Sequence, residues 1–394
     1  MKKKILFMLI NMNIGGTEKA LLNMITEIPR DQFDITILML EKYGGFLDQI
    51  PSDVNVQYID YYQEIKPILN DPLRNTSRGL MKKGKIIKGI SLISYYIVSR
   101  VSKNKNIFFN FITKKFPNIE EEYDIAVAYA GPMDFISYFV LEKIHAKKKI
   151  QWIHFDITKI GFDKKFANKN YKQFNKTYVV SNEAKDKLIN LVPNIYDKTE
   201  VMYNIVSPKV ILEYAKLGIG FKDNFNGIRI LTVGRLTSEK GQDLAVNVLA
   251  KLIEEGYNVR WYCLGDGNSR SEFEKLISDR NLQEHFILLG SDPNPYPYIN
   301  QCDIYVQPSR HEGYCITLYE ARILYKPIVT TNFVGAKEQI KNNKTGLIVE
   351  IDQEEIYKAL KTLLMNKELS KVFSNNLIEE SCNPQFELHK IANI

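Results

Sequence analysis

The sequence predicts an α/β protein of two doubly wound domains facing a central cleft, and three observations predict it. The chain has 394 residues, too many for one ordinary core and suited to two domains of roughly 150–200 residues. Short, continuous apolar runs alternate with amphipathic helical stretches, the pattern of parallel strands covered on both faces. The alternation pauses near residue 207 and restarts near 229.

In the first half, 5–10, 35–40, 125–129, 149–153, 178–180 and 200–203 read as buried strands. The stretch 17–28 reads as a helix, because Ala20, Leu21, Met24, Ile25 and Ile28 share one face. In the second half, strands are expected over 229–233, 259–264, 286–289, 303–307, 328–330 and 345–349. Helices are expected over 241–255, 270–281 and 316–324. The break contains Pro208 and the run Asp223-Asn224-Phe225-Asn226-Gly227. The expected domains are therefore 1–206 and 207–375, each Rossmann-like. Open sheets of this kind bind ligands beyond the carboxyl ends of their strands. Chemistry is expected in the loops that follow strands.

Composition narrows the class. Apolar residues make up 45% and charged residues 25%, which is globular and not disordered. Cys263, Cys302, Cys315 and Cys382 form no C-x-x-C and no zinc spacing, so free thiols in a reducing compartment are expected. The start, Met1 to Lys4 followed by an apolar run to Ile10, superficially resembles a secretion signal. It breaks at Asn11-Met12-Asn13-Ile14-Gly15-Gly16 without a small-residue cleavage pattern, and it suits a first strand better. No apolar run approaches the ~20 residues that span a bilayer. The expectation is a protein neither secreted nor membrane-spanning.

Two loops carry the chemistry-bearing residues. Gly234-Arg235-Leu236-Thr237-Ser238-Glu239-Lys240-Gly241 follows a strand and precedes a helix. Gly234 allows a tight exit, and Arg235 and Lys240 near a helix start suit a diphosphate. The second loop, from Pro308 through Glu312 to Glu320, also joins a strand to a helix. Glu312 in the loop and Glu320 on the helix can bracket one extended polar ligand, since carboxylates accept hydrogen bonds from sugar and ribose hydroxyls. Between them, the free N–H groups around Cys315, Ile316 and Thr317 can face an anion.

Gly234-Arg235, Lys240-Gly241, Gly265-Asp266-Gly267 and Glu312-x7-Glu320 stand in an order and spacing that resembles the retaining glycosyltransferases of family 4, which have the GT-B fold. The resemblance covers about 90 residues. It implies that Arg235 and Lys240 hold the donor diphosphate, that Glu312 contacts the transferred sugar and that Glu320 holds the ribose. It implies that Gly265 and Gly267 allow close approach to the nucleotide, and that transfer retains anomeric configuration. It also implies that 376–394 packs back on the N-terminal domain. Cys315 departs from the family's usual Gly or Pro.

The N-terminal half adds Asn13-Ile14-Gly15-Gly16-Thr17-Glu18 after the first strand, where Gly15 and Gly16 permit close approach of backbone to a ligand; the resemblance implies that this loop faces the donor phosphates and the acceptor, with Gly15 and Gly16 at the donor. It is not a G-x-G-x-x-G pattern. His154 ends a strand in Gln151-Trp152-Ile153-His154-Phe155-Asp156 and resembles the family's active-site His. It is expected on the transferred sugar, with Asp156 a weaker candidate that also reads as a cap. Tyr296 and Tyr298 are open between stacking on a nucleotide base and plain packing. Asp-x-Asp does not occur. No metal and no other cofactor are expected, because fixed positive charge can stabilise a leaving diphosphate.

The net charge of +7 is concentrated. Eleven cations and no Asp or Glu lie between Arg74 and Lys115, among them Lys82, Lys83, Lys85 and Lys88. Ile86, Ile90, Ile93, Ile97 and Val101 recur there at helical spacing. Cations beside an apolar stripe suit an element lying on an anionic membrane. Nucleic acid is ranked lower, because no nucleic-acid motif accompanies the charge. The stretch 74–116 is therefore expected to be a membrane-facing insert of the acceptor-side domain. The combined expectation is transfer of a hexose or N-acetylhexosamine from a UDP-linked donor, on the cytosolic face of a membrane. The acceptor would be a lipid-linked glycan, such as a polyprenyl-diphosphate glycan, or a polymeric one, in surface polysaccharide assembly. Two alternatives stand beside it: a GT-B-like UDP-sugar epimerase, and a non-catalytic nucleic-acid-binding protein.

Overall fold

The computed structural model of the chain describes residues 2–116 and 119–380. The N-terminal sheet is built from β1 (Lys3–Leu9), β2 (Phe33–Met39), β3 (Asn55–Tyr58), β4 (Glu122–Gly131), β5 (His145–Ile153), β6 (Lys176–Val179) and β7 (Thr199–Val201). Its helices are α1 (Gly16–Glu27), α2 (Tyr62–Asn70), α3 (Leu73–Lys82), α4 (Ile86–Val101), α5 (Lys105–Ile112), α6 (Asp134–Lys143), α7 (Lys164–Asn170) and α8 (Asn182–Leu191). After the connecting α9 (Pro208–Tyr214), the second sheet uses β8 (Ile228–Val233), β9 (Val259–Leu264), β10 (Phe286–Gly290), β11 (Ile304–Gln307), β12 (Ile328–Thr331) and β13 (Leu347–Val349). It is covered by α10 (Gln242–Glu254), α11 (Arg270–Asp279), α12 (Tyr296–Gln301), α13 (Ile316–Ile323), α14 (Ala336–Gln339), α15 (Gln353–Met365) and α16 (Lys367–Glu379).

Both sheets are parallel, with spatial orders β3-β2-β1-β4-β5-β6-β7 and β10-β9-β8-β11-β12-β13. Strand periodicity explains why the runs are apolar throughout. In β1, Leu6 and Met8 enter one core layer, and Ile5, Phe7 and Leu9 enter the layer on the other face. In β9, Tyr262 and Leu264 face one layer, and Trp261 and Cys263 the other. Lys3 and Lys4 begin the first strand.

The order reverses between β1 and β4, and again between β8 and β11. These are the switch points at which such sheets open a ligand crevice. The loops leaving β1, β8 and β11 are those that carry Gly15, Arg235 and Glu312.

The two domains touch closely. A side chain on Gly313 would place its Cβ 1.8 Å from the carbonyl oxygen of His154, so only glycine fits that meeting point. Glu338 of α14 accepts hydrogen bonds from the Asn182 and Glu183 backbone N–H groups and from Tyr203 Oη, at 3.1, 3.3 and 2.9 Å. It thereby places a negative charge at the start of α8 in the other domain.

Most of the expected segment 376–394 lies outside the described residues. Its described part, through Leu377, packs in the C-terminal domain's core beside Ala336 and Ile340. Cys382 also lies outside the described residues, and Cys263, Cys302 and Cys315 are buried free thiols.

Candidate active site

The cationic loop and the acidic loop are stitched together. Arg310 donates from its backbone to the Glu239 carbonyl at 2.7 Å. Its guanidinium donates to the Ser238 carbonyl at 2.7 Å and to both Asp243 oxygens at 2.7 and 2.6 Å. Gly241 turns between them with φ +72°, and a Cβ there would fall 2.0 Å from the Pro308 carbonyl oxygen. That close approach sets Lys240 against Glu312.

Lys240 Nζ donates to Glu312 Oε1 and Oε2 at 2.6 and 2.7 Å. Glu312 also accepts from Ser309 Oγ at 2.7 Å, and Ser309 accepts from Gln307 Nε2 at 2.8 Å. The lysine and glutamate side chains are 16% and 9% exposed, so this is a sheltered, charge-assisted pair. Burial works to lower the Lys240 pKa, but the carboxylate of Glu312 and its hydrogen bonds outweigh it and the net shift is upward. Arg235 sits further out, half exposed, and pairs with Glu239 at 2.9 Å.

Cys315 begins α13, whose first turn has no side-chain cap. Its thiol is 3.3 Å from Thr317 Oγ1, and burial pushes its pKa up, so it is an inert packing thiol. The uncapped N–H groups of Ile316 and Thr317 are thus set beside Lys240 and Glu312.

Glu320, one turn further along α13, is 1% exposed. It accepts a 3.0 Å hydrogen bond from Tyr296 Oη. Burial raises its pKa to about 7, against the pull of Lys19 and Tyr296. This decides the open question about Tyr296. It is a buried support for Glu320, while Tyr298 packs on Phe221 at 5.4 Å between ring centres.

The glycines after β9 serve the loop itself. A Cβ on Gly265 would lie 2.0 Å from the Gly234 carbonyl oxygen, and one on Gly267 would lie 2.4 Å from the Leu236 carbonyl oxygen. The space they leave is filled by the Gly234–Leu236 backbone, which they hold in place below Arg235.

Across the cleft, His154 is 6% exposed, and neither ring nitrogen has a well-formed hydrogen bond. The ring stacks on Trp152 at 5.9 Å and lies 4.5 Å from the Tyr129 ring centre. Burial lowers its pKa to about 3, with a weak opposing pull from the Tyr129 backbone, so it is neutral at pH 7. A neutral imidazole can donate from one nitrogen and accept at the other, which suits sugar hydroxyls. Asp156 accepts from Thr158 N and Oγ1 at 2.9 and 2.6 Å and from Lys187 at 3.0 Å; it is a local cap.

The structure also brings in residues that sequence reading passed over. Glu18 and Lys19, in the first turns of α1, point into the cleft. Glu18 lies within electrostatic reach of Arg235 and Tyr129. Lys19 faces Glu320, with its ammonium 5.4 Å from the ring centres of both Tyr296 and Phe46. Burial lowers the Lys19 pKa and Glu320 partly restores it. An acid in a helix's first turn ordinarily reads as a dipole partner, which hid Glu18. Gly15 is explained by it, because a Cβ there would lie 2.5 Å from Glu18 Oε2. A Cβ on Gly16 would meet nothing.

Lys82, Lys83, Lys85 and Lys88 lie apart from this cleft. They are exposed around the turn from α3 to α4.

With this geometry in view, comparison with known proteins is decisive for one domain. Residues 221–380 match the family model of glycosyl transferases group 1. The matched segment is the C-terminal domain, which is similar to that family. The chain is 34% identical over 197 residues to a Campylobacter jejuni N-acetylgalactosamine-N,N'-diacetylbacillosaminyl-diphospho-undecaprenol 4-alpha-N-acetylgalactosaminyltransferase. That alignment covers 49% of this chain and 52% of the relative. It is 28% identical over 178 residues to the capsular polysaccharide biosynthesis glycosyltransferase CapM of Staphylococcus aureus, covering 44% of this chain and 45% of CapM. The chain thus spans about half the length of these curated relatives.

Similarity of fold extends over both domains. The Anabaena HepE structure with UDP and glucose matches with TM-score 0.72 at 16% identity, covering 99% of this chain and 98% of that one. An S. aureus TarM variant in complex with UDP, fondaparinux and alpha-GlcNAc-glycerol matches with TM-score 0.70 at 16% identity, covering 99% of each chain. The fold of the chain is therefore GT-B throughout the described residues.

Proposed function

We propose that this protein transfers a hexose or N-acetylhexosamine, with retention, from a UDP-linked donor to a hydroxyl of a lipid-linked or polymeric glycan in surface polysaccharide assembly. The observation that carries the reading is the sheltered Lys240–Glu312 pair beside the uncapped start of α13, with buried Glu320 one turn on and His154 facing them from the other domain. In this reading Lys240, Arg235 and the Ile316 and Thr317 N–H groups take the diphosphate. Glu320 takes the ribose, and Glu312 and His154 take hydroxyls of the transferred sugar. UDP in the matched structures supports the base, and the undecaprenol-diphosphate-linked substrate named for the Campylobacter relative supports the acceptor class.

A thermal-shift screen tests the donor class. A ligand that binds only the native state raises apparent stability by about 2.7 kcal/mol at 100 times its Kd. UDP and UDP-sugars are expected to raise Tm, and ADP and GDP are not. If no nucleotide shifts Tm, the reading fails.

Transfer is proposed to need no divalent metal, because Lys240 and a helix N-terminus place fixed positive charge where the leaving diphosphate develops negative charge. Activity is expected to survive millimolar EDTA unchanged. Loss in EDTA with rescue by Mn2+ or Mg2+ would overturn this.

The proposed site of work is the cytosolic face of an anionic membrane. No helix among the described residues is long and apolar enough to cross a membrane. On α4, Leu92 and Gly89 face inward, while Ile86, Ile87, Ile90, Ile97 and Val101 are exposed, Ile87 at 83%. Of the expected stripe, Ile93 is half-buried. Exposed isoleucines beside Lys82, Lys83, Lys85 and Lys88 suit insertion at an anionic surface. The wild-type protein is expected to sediment with phosphatidylglycerol vesicles at low salt, and a variant with those four lysines neutralised is expected to stay in solution. Identical behaviour of the two would remove the membrane from the reading.

A further inference from the structure

Glu338 belongs to α14 of the donor-side domain, yet among the described residues every hydrogen bond that its carboxylate accepts comes from the other domain. Asn182 donates from its backbone at 3.1 Å and from Nδ2 at 3.0 Å. Glu183 donates from its backbone at 3.3 Å, and Tyr203 from Oη at 2.9 Å. Asn182 and Glu183 open α8, so their N–H groups have no partner within the helix. Ser181 Oγ satisfies the next one, that of Ala184, at 3.1 Å. The cap of a helix in one domain is thus completed by an acid of the other, with the sign that the helix dipole favours.

The same segment carries an apolar prong. Val334, just before α14, is 5% exposed and packs in a core layer of the N-terminal sheet. A Cβ on Gly335 would lie 3.6 Å from Ser181 Cβ and 3.3 Å from the Gly313 carbonyl oxygen. Tyr203 joins this corner to the sugar loop, because its ring lies 5.8 Å from that of Tyr314, the residue after Gly313. Gly313 is where the Glu312 loop meets His154. The Glu338 contacts and the Gly313–His154 contact belong to one interface.

Resting on the glycosyl-transfer reading, we propose that Glu338 and Val334 form a latch that holds the two domains at the separation from which His154 and Glu312 reach one sugar. Glu338 is a positioning residue. It takes no part in the donor contacts and acts through the docking of the domains. The nucleotide half of the donor is held by Arg235, Lys240 and Glu320, all on one domain, and only the sugar half needs both. Loosening the latch therefore weakens binding of the nucleotide sugar and spares UDP.

The test uses the full chain and three readouts: small-angle X-ray scattering without ligand, the UDP thermal shift, and UDP release from UDP-glucose, UDP-galactose, UDP-GlcNAc and UDP-GalNAc with octyl glycosides as acceptors. Glu338→Ala is expected to raise the radius of gyration and to raise the donor KM by about 10-fold, because the apparent Kd is the intrinsic one divided by the docked fraction. Saturating donor restores docking, so kcat should stay within about twofold of wild type. The UDP thermal shift should match that of wild type. Glu338→Lys sets a cation against the positive end of α8 and should exceed Glu338→Ala in both radius and donor KM. Glu338→Gln keeps an acceptor oxygen and should fall between wild type and Glu338→Ala. Tyr203→Phe loses one hydrogen bond, keeps the ring on Tyr314 and should move the same two quantities by less; it also serves if a Glu338 variant does not fold.

An unchanged radius and donor KM in Glu338→Lys overturn the proposal. So does loss of the UDP shift, or of kcat at saturating donor, either of which would make Glu338 a support of its own domain. If wild type releases no UDP from any donor, with or without acceptor, the glycosyl-transfer reading falls, and the scattering series still decides whether Glu338 holds the domains together.

Discussion

Lys240→Ala is expected to slow transfer by about 100- to 1,000-fold, the usual cost of removing one preorganised charge aimed at a transition state. It is also expected to destabilise the ligand-free protein by about 3 kcal/mol, because it strands a buried partner charge. Both effects follow from one geometry. Lys240 makes two hydrogen bonds to Glu312, at 2.6 and 2.7 Å, and Glu312 is 9% exposed. Without the lysine, Glu312 keeps only the Ser309 hydroxyl at 2.7 Å and a long contact from Gln307 at 3.4 Å. Two uncharged donors do not replace an ammonium. Glu312→Gln should cost less stability, since the amide still meets Ser309, yet should also impair transfer through lost sugar contacts. The double variant Lys240→Ala with Glu312→Gln should recover part of the lost stability and none of the activity. Urea unfolding of the four proteins measures that coupling. Additive stability losses would mean the pair is not coupled, and full activity in Lys240→Ala would remove it from the diphosphate.

The residues of that pair were nominated by the sequence alone. Arg235, Lys240 and Glu312 were legible as candidates because they lie on two short strand-to-helix loops, and Glu320 because it lies on the helix that follows the second. The strands that carry those loops were legible because both faces are buried. Ile230-Leu231 of β8 and Ile304-Tyr305-Val306 of β11 are therefore apolar at successive positions. β3 was not legible. It is an edge strand, Asn55–Tyr58, with one exposed and three half-buried residues and no apolar run.

What sequence could not supply was pairing across distance. Nothing in the spacing of Lys240 and Glu312 says that they bond to each other. Nothing joins Lys19 to Glu320, or Glu18 to Arg235, until the two switch points face each other. Gly265 and Gly267 show the same limit. The family resemblance implied that they allow approach to the nucleotide, and the structure adds that their missing side chains make room for the Gly234–Leu236 backbone.

Glu320 is where stability and function pull in opposite directions, and its variants should separate them. The carboxyl is 1% exposed, and burial raises its pKa to about 7 from an ordinary 4.5. In the folded state it therefore holds a proton that the unfolded chain releases. Folding stability falls as pH rises from about 4.5 to about 7, and the full cost, roughly 3 kcal/mol, is present above that window. Glu320→Gln keeps the hydrogen bond with Tyr296 and removes the charge. Ligand-free, it should melt higher than wild type at pH 8, with the gap closing by about pH 5 as the wild-type carboxyl becomes neutral. Glu320→Ala should melt lower than Glu320→Gln at every pH, because it leaves the buried Tyr296 hydroxyl without an acceptor, at about 1–3 kcal/mol. Nucleotide binding should order the proteins differently. An ionised carboxylate holding two ribose hydroxyls is worth about 10- to 100-fold in affinity over a neutral group. The UDP-induced shift at pH 8 should therefore shrink in Glu320→Gln although the protein itself is more stable, and should vanish in Glu320→Ala. A Glu320→Gln protein that melted higher and bound UDP as tightly as wild type would place the ribose elsewhere. A buried charge that weakens the fold persists here because Lys19 faces it from the other domain, and a ribose would supply the hydroxyl donors it lacks.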